Sequence, residues 1–279
     1  MVTEYAYAKL NLTLEMGEKR RDGFHEITSI MTSVSLCDRI TVEKEAAITL
    51  LCDRSDLPLD VGNLAVKAAV VFFRETGIEG GAAIQLKKKI PSEAGLGGGS
   101  SDAAAVLRAL RRLYAPEISL EELAQMGGSV GSDVPYCVHG GTVLCRGRGE
   151  QMTALPDMPL CWYVIVKPTE AFSTGKMYGE IDARKPTVIS STDLFIKELE
   201  QGNLSGMAAY MNNTFQAVIP AESRVWDIQS KLRKNGAINA MMTGSGSAVF
   251  GIFDREEQAK IAAEILKIEY PETFLARNV

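Results

Sequence analysis

The sequence is poor in the residues that build the commonest metal and nucleophile sites. Its 279 residues include only two histidines, His25 and His139. A histidine-based catalytic triad or a multi-histidine metal centre is therefore hard to assemble. The five cysteines are scattered, odd in number and without C-x-x-C spacing. We therefore expect reduced thiols in a cytoplasmic protein, not a disulfide framework or a zinc site.

Long apolar runs and an excess of positive charge are also missing. No run approaches the ~18 residues of a membrane span, and the strand-like N-terminal sequence predicts no signal or transit peptide. The net charge is −5, so we expect no nucleic-acid partner. Because no long apolar run is present, we expect no membrane partner either. The one notable basic run, residues 87–89, is predicted to be a solvated strand end.

The most informative stretch is the glycine-rich segment at residues 91–105. Before it, residues 82–90 alternate as a strand does, and after it residues 103–114 have the composition of a helix. Glycine-rich loops that lead into a helix direct backbone N–H groups and the helix dipole at one point. This pattern predicts a phosphate-binding loop. The alternative is a tight loop with a serine N-cap and no ligand.

Two familiar nucleotide motifs are excluded. A Walker A loop requires G-x-x-x-x-G-K-[ST], and no lysine precedes Ser100 or Ser101. A dinucleotide-binding G-x-G-x-x-G that begins at Gly95 would place its third glycine on Ser100.

Strict alternation over residues 4–15 predicts a strand with Lys9 and Asn11 on its polar face. Lys9 is either an exposed strand lysine or a sheltered functional amine. Asp133 lies in a second glycine/serine loop, where a carboxylate is either an N-cap or Asx-turn residue or a general base. His25 is either a structural hydrogen-bonding residue or a ligand contact, and its neighbour Phe24 is either core or a stacking partner for a flat base.

Other segments predict an α+β pattern. A third glycine/serine turn near residues 243–246 is either a plain hairpin or a second phosphate cradle. The remaining predictions are a hairpin of residues 40–43 and 48–52, a helix over 63–77 with an Asn63 N-cap, a capping box at Ser119 and Glu122, a buried strand over 160–166, a helix that Ser173 and Thr174 cap, a capping box at Asp254 and Glu257, and a last strand over 273–276.

These stretches resemble the GHMP kinases in content and in order, over nearly the whole chain. The carrying motifs are A-K-L-N-L at 8–12, D-G-F-H at 22–25, P-x-x-x-G-L-G-G-G-S-S-D-A-A at 91–104, G-S-D-V-P at 131–135 and M-T-G-S-G at 242–246. Among GHMP kinases, the first two motifs resemble the 4-diphosphocytidyl-2-C-methyl-D-erythritol kinase family.

The resemblance implies a two-domain α+β fold. An N-terminal ATP-binding domain similar to ribosomal protein S5 domain 2 would span residues 1–155, and a ferredoxin-like domain would span 156–279. It implies ATP- and Mg²⁺-dependent phosphorylation of the 2-hydroxyl of a CDP-linked methylerythritol, in the non-mevalonate route to isoprenoids. For the assembly we expect a monomer or weak homodimer.

The resemblance also assigns roles to residues. Asp133 would accept the hydroxyl proton, and Lys9 would keep Asp133 ionised and orient the hydroxyl. Asn11 would steady the substrate, His25 would hydrogen-bond cytosine, and Phe24 and Tyr178 would stack on it. Ser101 would lie near Mg²⁺. The residues expected to hold ATP are Pro91, Ser92, Glu93, Ala94, Gly95, Leu96, Gly97, Gly98, Gly99, Ser100 and Ser101.

Three alternatives stay open. A GHMP kinase for another small alcohol would share the ATP loop and Asp133 but would not explain Phe24 and His25. A mevalonate-diphosphate-decarboxylase-like lyase would need basic groups around a substrate carboxylate, and no such cluster accompanies the motifs. A non-catalytic nucleotide-binding module would need neither Lys9 nor Asp133.

Overall fold

The computed structural model describes residues 1–279, which form two compact units. The first unit contains residues 1–8, 37–92 and 97–140, and the second contains the rest of the chain. Strands β1 (Val2–Lys19) and β2 (His25–Glu45) each contribute residues to both units. Because the units interleave along the chain, they do not test the predicted domain boundary at residue 155, which stays a prediction.

The sheet of the first unit has a different order from the predicted one. β4 (Gly81–Lys87) is antiparallel to the second half of β2, and β3 (Thr49–Cys52) is parallel to β4. The predicted hairpin of residues 40–43 and 48–52 is therefore wrong, because β4 lies between the two segments. In the centre, both edges of β4 find hydrogen-bonding neighbours, and its alternate apolar residues enter the core.

The helices of the first unit begin and end largely where their caps predict. In α1 (Leu64–Thr76), Asn63 accepts a hydrogen bond from the Ala65 amide, and Gly77 ends the helix with a φ of 67°. Ser119 and Glu122 form a complete capping box at the start of α3 (Leu120–Gly128). These helices and α2 (Gly98–Tyr114) bury their apolar faces in one core with β4. A short helix, α4 (Val134–His139), completes the unit.

The second unit contains a four-stranded antiparallel sheet. Its order is β11 (Thr273–Arg277), β7 (Trp162–Val166), β10 (Val249–Phe253) and β9 (Asn239–Met242). The predicted strands at 160–166 and 273–276 are confirmed, although the first begins at Trp162. The strand–turn–strand order around residues 243–246 is also confirmed, and a phosphate-binding role of that turn stays a prediction. Apart from this sheet, β5 (Thr142–Gly147) pairs with the first half of β2 and with β6 (Gln151–Ala154), and β8 (Asn212–Asn213) pairs with β1.

Two helices of the second unit, α8 (Arg224–Lys234) and α9 (Glu256–Lys267), pack on this sheet. The other helices of the unit are α5 (Thr174–Arg184), α6 (Thr192–Glu200) and α7 (Leu204–Ala209), with a 3₁₀ helix at Thr214–Val218 that contacts α5. The capping box predicted at Asp254 is wrong, because the N-cap of α9 is Arg255 and makes no side-chain capping bond. Glu256 and Glu257 instead place negative charge in the first turn, where the helix dipole favours it.

Candidate active site

Lys9 and Asn11 lie side by side on β1, as alternation predicts, and both are buried. Lys9 is 4% exposed and Asn11 is 2% exposed. The Lys9 Nζ donates a 2.6 Å hydrogen bond to the Asn11 Oδ1. Of the two alternatives for Lys9, the sheltered amine is therefore the one found.

Asn11 is itself oriented by Ser29, which completes what we call the Lys9 cluster (Lys9, Asn11 and Ser29). The Asn11 Nδ2 donates to the Ser29 Oγ at 2.8 Å, and this hydroxyl donates to the Thr13 carbonyl at 2.6 Å. Each end of the Asn11 amide thus has one of these partners, with one hydrogen and one lone pair left for a ligand. Ser29 was not predicted, because a single serine in a strand carries no distinguishing signal.

The start of the glycine loop packs against the third glycine turn in the second unit. The Ala248 amide donates to the Ala94 carbonyl at 3.1 Å, and the Lys9 amide donates to the Leu96 carbonyl at 3.0 Å. A Cβ at Gly95, whose φ is +74°, would lie 2.3 Å from the Thr243 carbonyl oxygen. Glycine is required at this position for both backbone conformation and close approach.

In the first unit, the end of the glycine loop forms the first turn of α2. The helix begins at Gly98, five residues before the predicted start, and its N-cap Gly97 has a φ of 69° with no side-chain cap. The alternative of a serine N-cap is therefore wrong. A helix whose first N–H groups have no side-chain acceptor, and whose dipole is positive at this end, is suited to an anion.

Ser101 lies in the first turn of α2, and its predicted position near Mg²⁺ stays a prediction. Its side chain is buried, and its Oγ donates a 2.5 Å hydrogen bond to the Tyr7 carbonyl, which ties α2 to β1 within the first unit. The oxygen retains lone pairs that can still accept. Three or more histidine, cysteine, aspartate or glutamate side chains do not come together in the structure as a metal site.

Buried charges anchor both sides of the glycine loop. The Lys88 Nζ lies 2.5 Å from the Asp38 Oδ2 and 2.6 Å from the Asp102 Oδ2, and we call these residues the Lys88 cluster (Asp38, Lys88 and Asp102). Asp38 also accepts the amides of Lys89 and Ile90, just before the loop, while Asp102 belongs to α2, just after it. The predicted solvated strand end is wrong at Lys88, whose side chain is 5% exposed.

The Lys88 cluster carries one cation and two carboxyl groups. Burial, together with the charge of Asp38, raises the pKa of Asp102 well above its ordinary value, although Lys88 opposes the shift. The Asp102 Oδ1 is buried with no hydrogen-bond partner. Ionisation of a second buried carboxyl in this cluster therefore costs free energy, and the closely bound ammonium of Lys88 reduces that cost.

Asp133 stands at the N-terminus of α4, in the first unit. It occupies the N-cap position with a φ of −86°, but its carboxylate makes no capping bond to the helix. Its carbonyl accepts the Cys137 amide at 3.1 Å. The N-cap interpretation of this carboxylate is therefore not supported, and its predicted role as a base stays a prediction.

His25 is buried in the second unit between two residues of α5. Its Nε2 lies 2.7 Å from the Asp182 Oδ1, and its ring stacks on Tyr178 with centroids 5.1 Å apart. Asp182 also pairs with Lys19 at 2.5 Å. Hydrogen bonds from Lys19 and His25 lower the pKa of Asp182. Neither Asp182 nor Lys19 was predicted, although Asp182 follows Tyr178 by one helical turn.

Phe24 is half exposed and therefore not a core residue. The residue is 49% exposed, and the guanidinium of Arg148 lies 4.9 Å from the centroid of its ring. A cation over an aromatic face is a favourable contact, worth ~0.5–1 kcal/mol at exposed sites.

A cavity of about 910 Å³ opens beside His25 in the second unit. This volume is within the range of small-molecule sites. Cations and carboxylates both line it, which suits a ligand with a charged part and polar edges. The charged lining residues are Glu15, Glu18, Lys19, Glu26, Arg146, Asp182 and Lys185, in addition to His25.

The chain is similar over its full length to proteins of known family. It is 38% identical to the 4-diphosphocytidyl-2-C-methyl-D-erythritol kinase of Clostridium kluyveri, over 98% of this chain and 99% of that protein. It is 40% identical to the kinase of the same name from Acetivibrio thermocellus, over 98% of both chains. The chain belongs to the 4-diphosphocytidyl-2-C-methyl-D-erythritol kinase family of GHMP kinases.

Family models and a solved structure agree with this membership. Residues 63–141 match the model described as the GHMP kinases N terminal domain, and residues 195–272 match GHMP kinases C terminal. A crystal structure of a 4-(cytidine 5'-diphospho)-2C-methyl-D-erythritol kinase superposes with a TM-score of 0.81 at 30% identity, over 99% of both chains. The predicted α+β GHMP kinase fold is confirmed.

Membership in this family makes the chain a small-molecule kinase, with ATP as one substrate. None of its helices is both long enough and apolar enough to cross a bilayer.

Proposed function

We propose that this kinase transfers the γ-phosphate of ATP to the 2-hydroxyl of 4-diphosphocytidyl-2-C-methyl-D-erythritol, which yields the 2-phosphate and ADP. The observation that carries the proposal is the full-length likeness at 38–40% identity to kinases named for this substrate. The buried Lys9, the position of Asp133 at the N-terminus of α4 and the cavity beside His25 support it.

In the proposed reaction, Asp133 accepts the proton of the attacking hydroxyl. A positioned general base contributes about 10²–10⁴ in rate. Lys9 supplies a fixed positive charge that favours the ionised form of this carboxylate and the charge that develops on oxygen. Asn11 holds the Lys9 ammonium and contacts the substrate with its remaining hydrogen and lone pair.

The phosphates of ATP bind along residues 91–101. The backbone N–H groups at the start of α2 would contact the phosphate oxygens, and the helix dipole would favour their negative charge. Mg²⁺ that accompanies ATP would neutralise phosphate charge. We keep Ser101 as the proposed hydroxyl near Mg²⁺, because its oxygen donates its hydrogen to the Tyr7 carbonyl and retains its lone pairs.

The cytosine of the substrate binds in the cavity at His25. Imidazole nitrogens can hydrogen-bond the edge of a base. The exposed ring of Phe24 is available to stack on a base. Tyr178 stacks on the His25 ring, so we propose that the base contacts Tyr178 beside this pair of stacked rings.

ADP release from purified protein with ATP, Mg²⁺ and 4-diphosphocytidyl-2-C-methyl-D-erythritol tests the proposal. We expect turnover with this alcohol and none with homoserine, galactose or mevalonate. Asp133→Ala should lower kcat by about 10²–10⁴, while Asp157→Asn, an exposed loop carboxylate, should keep it. ADP release with one of the other alcohols alone would leave the fold assignment intact and refute the proposed substrate.

A double-mutant cycle tests whether Lys9 and Asp133 act as one catalytic unit. When two residues act together in catalysis, the double variant loses much less transition-state stabilisation than the sum of the losses in the two single variants. We therefore expect the double variant Lys9→Ala, Asp133→Ala to be little slower than the slower single variant. Additive losses would contradict the joint role.

A further inference from the structure

One face of α5 holds the imidazole of His25 in two ways. Tyr178 and Asp182 are four residues apart, so they lie on the same side of the helix. The Tyr178 ring stacks on the imidazole at an interplanar angle of 25°, and the Asp182 Oδ1 lies 2.7 Å from its Nε2. Stacking restricts the tilt of the ring, and the hydrogen bond restricts its rotation within the stacking plane.

The position of one hydrogen on the ring follows from the chemistry of Asp182. Its pKa is lowered by the hydrogen bonds from Lys19 and His25, so at neutral pH it is an ionised carboxylate. An ionised carboxylate can only accept hydrogen bonds. The His25 Nε2 therefore carries a hydrogen and donates it to Asp182. Since Nε2 is engaged, the ring nitrogen that remains for a ligand is Nδ1.

We propose that Asp182 is a positioning residue for base recognition, which accepts the Nε2–H of His25 and thereby assigns Nδ1 to the nucleobase of a cytidine nucleotide. This inference rests on the proposed function, because it takes the occupant of the cavity to be the substrate's cytosine. His25, Asp182 and Lys19 all line the same cavity. A purely structural role for Asp182, as a link from α5 to Lys19 on β1, is the competing explanation.

Because the chain has only two histidines, the hydrogen bond between His25 and Asp182 can be observed directly by NMR. In protein labelled with ¹⁵N at histidine, signals of His25 and His139 are distinguished with a His139→Gln variant. We expect a His25 Nε2–H signal protected from solvent exchange in the wild type and lost in Asp182→Ala. Glu180→Ala removes a surface carboxylate of the same helix, paired with Arg184, and should keep the signal. A protected signal in Asp182→Ala would overturn the inference.

Binding of CDP and UDP then tests the effect on recognition. Asp182 acts on the base only through His25, so Asp182→Ala should weaken CDP binding by about threefold to tenfold, which is ~0.7–1.4 kcal/mol. We also expect this variant to show a smaller ratio of the Kd for UDP to the Kd for CDP than the wild type does. The KM for ATP and the kcat at saturating substrates should stay near wild type. Asp182→Asn, which keeps an acceptor oxygen, should recover most of the affinity for CDP.

The outcomes separate this inference from the proposed function. If the wild type neither binds CDP nor phosphorylates the CDP-alcohol, the proposed function is wrong and the base assignment falls with it. If the wild type does both but Asp182→Ala binds CDP equally well, the inference alone is wrong. An Asp182→Ala variant that loses ATP and CDP affinity together, with a lower Tm, would establish the structural role instead.

Discussion

Two buried lysines, one in each compact unit, make hydrogen bonds that serve different purposes. In the Lys88 cluster of the first unit, the ammonium bonds to the carboxylates of Asp38 and Asp102. In the Lys9 cluster of the second unit, the ammonium donates to the amide oxygen of Asn11. The two carboxylates of the Lys88 cluster link the segment before the glycine loop to α2, which indicates that Lys88 serves the fold. Asn11 lies two residues from Lys9 on the same strand and fixes the direction of its ammonium, which supports the proposed catalytic role of Lys9.

The largest expected effect is on stability, from Lys88→Met. The substitution keeps a long side chain but leaves Asp38 and Asp102 buried without their cation. Loss of one partner from a buried ion pair costs about 3–5 kcal/mol. We therefore expect a large fall in the free energy of unfolding, measured by urea denaturation. A loss below about 1 kcal/mol would contradict the anchoring role, because surface ion pairs are worth no more than that.

The same substitution at Lys9 should act mainly on the rate. Loss of one fixed electrostatic contact to a transition state lowers kcat by about 10²–10³. We expect Lys9→Met to show this loss in ADP release and a smaller loss of stability than Lys88→Met. Lys167→Met is a matched control, because Lys167 is also buried but bonds to the Pro168 and Glu170 carbonyls. Equal losses of activity in both variants would contradict a specific role for Lys9.

Ser29→Ala should have an intermediate effect through Asn11. The variant removes the acceptor of the Asn11 Nδ2, so the amide that holds Lys9 becomes less well oriented. A neutral hydrogen bond is worth about 0.5–1.5 kcal/mol, which predicts a threefold to tenfold fall in kcat/KM. If Ser29 acts through Lys9, the fall should disappear in a Lys9→Met background. A full further loss in that background would point to a separate role.

The smallest effect concerns pH and Asp102. Because its pKa is raised in the folded state, the unfolded chain ionises first as the pH rises. The free energy of unfolding therefore falls with rising pH above the unfolded pKa, until the folded group also ionises. Asp102→Asn removes this dependence, so its Tm relative to wild type should increase from pH 5 to pH 8. A difference that stays constant or shrinks would show that Asp102 is already ionised in the fold.

Local motifs were predictable because neighbours in sequence decide them. Asn63 and Gly77 bound α1, and Ser119 pairs with Glu122, because these caps span only a few residues. Alternation along β1 correctly placed Lys9 beside Asn11. Short motifs likewise predicted the glycine loop and the family. Where a local rule failed, as with the α2 start, the glycines that ended the predicted loop adopted helical geometry instead.

Long-range choices were not predictable from local patterns. The segments at 40–43 and 48–52 resemble a hairpin, but β4 inserts between them, because both of its edges then find hydrogen-bonding strands and its alternate apolar residues enter the core. Lys88 lies within a run of three lysines that gives no sign of burial. Asp182 is 157 residues from His25 in sequence, and one carboxylate among the 35 Asp and Glu residues cannot be singled out in advance.

The sequence alone thus determined which chemical groups this kinase carries and the local backbone that presents them. Its glycines permit the loop, its caps bound the helices, and its strand period puts Lys9 and Asn11 on one face. The tertiary structure decided which charges meet. Burial of Lys88 with Asp38 and Asp102, and of His25 with Asp182, depends on distant segments packing together, because the hydrophobic effect that drives this packing is not directional. Only the folded chain selects the partners.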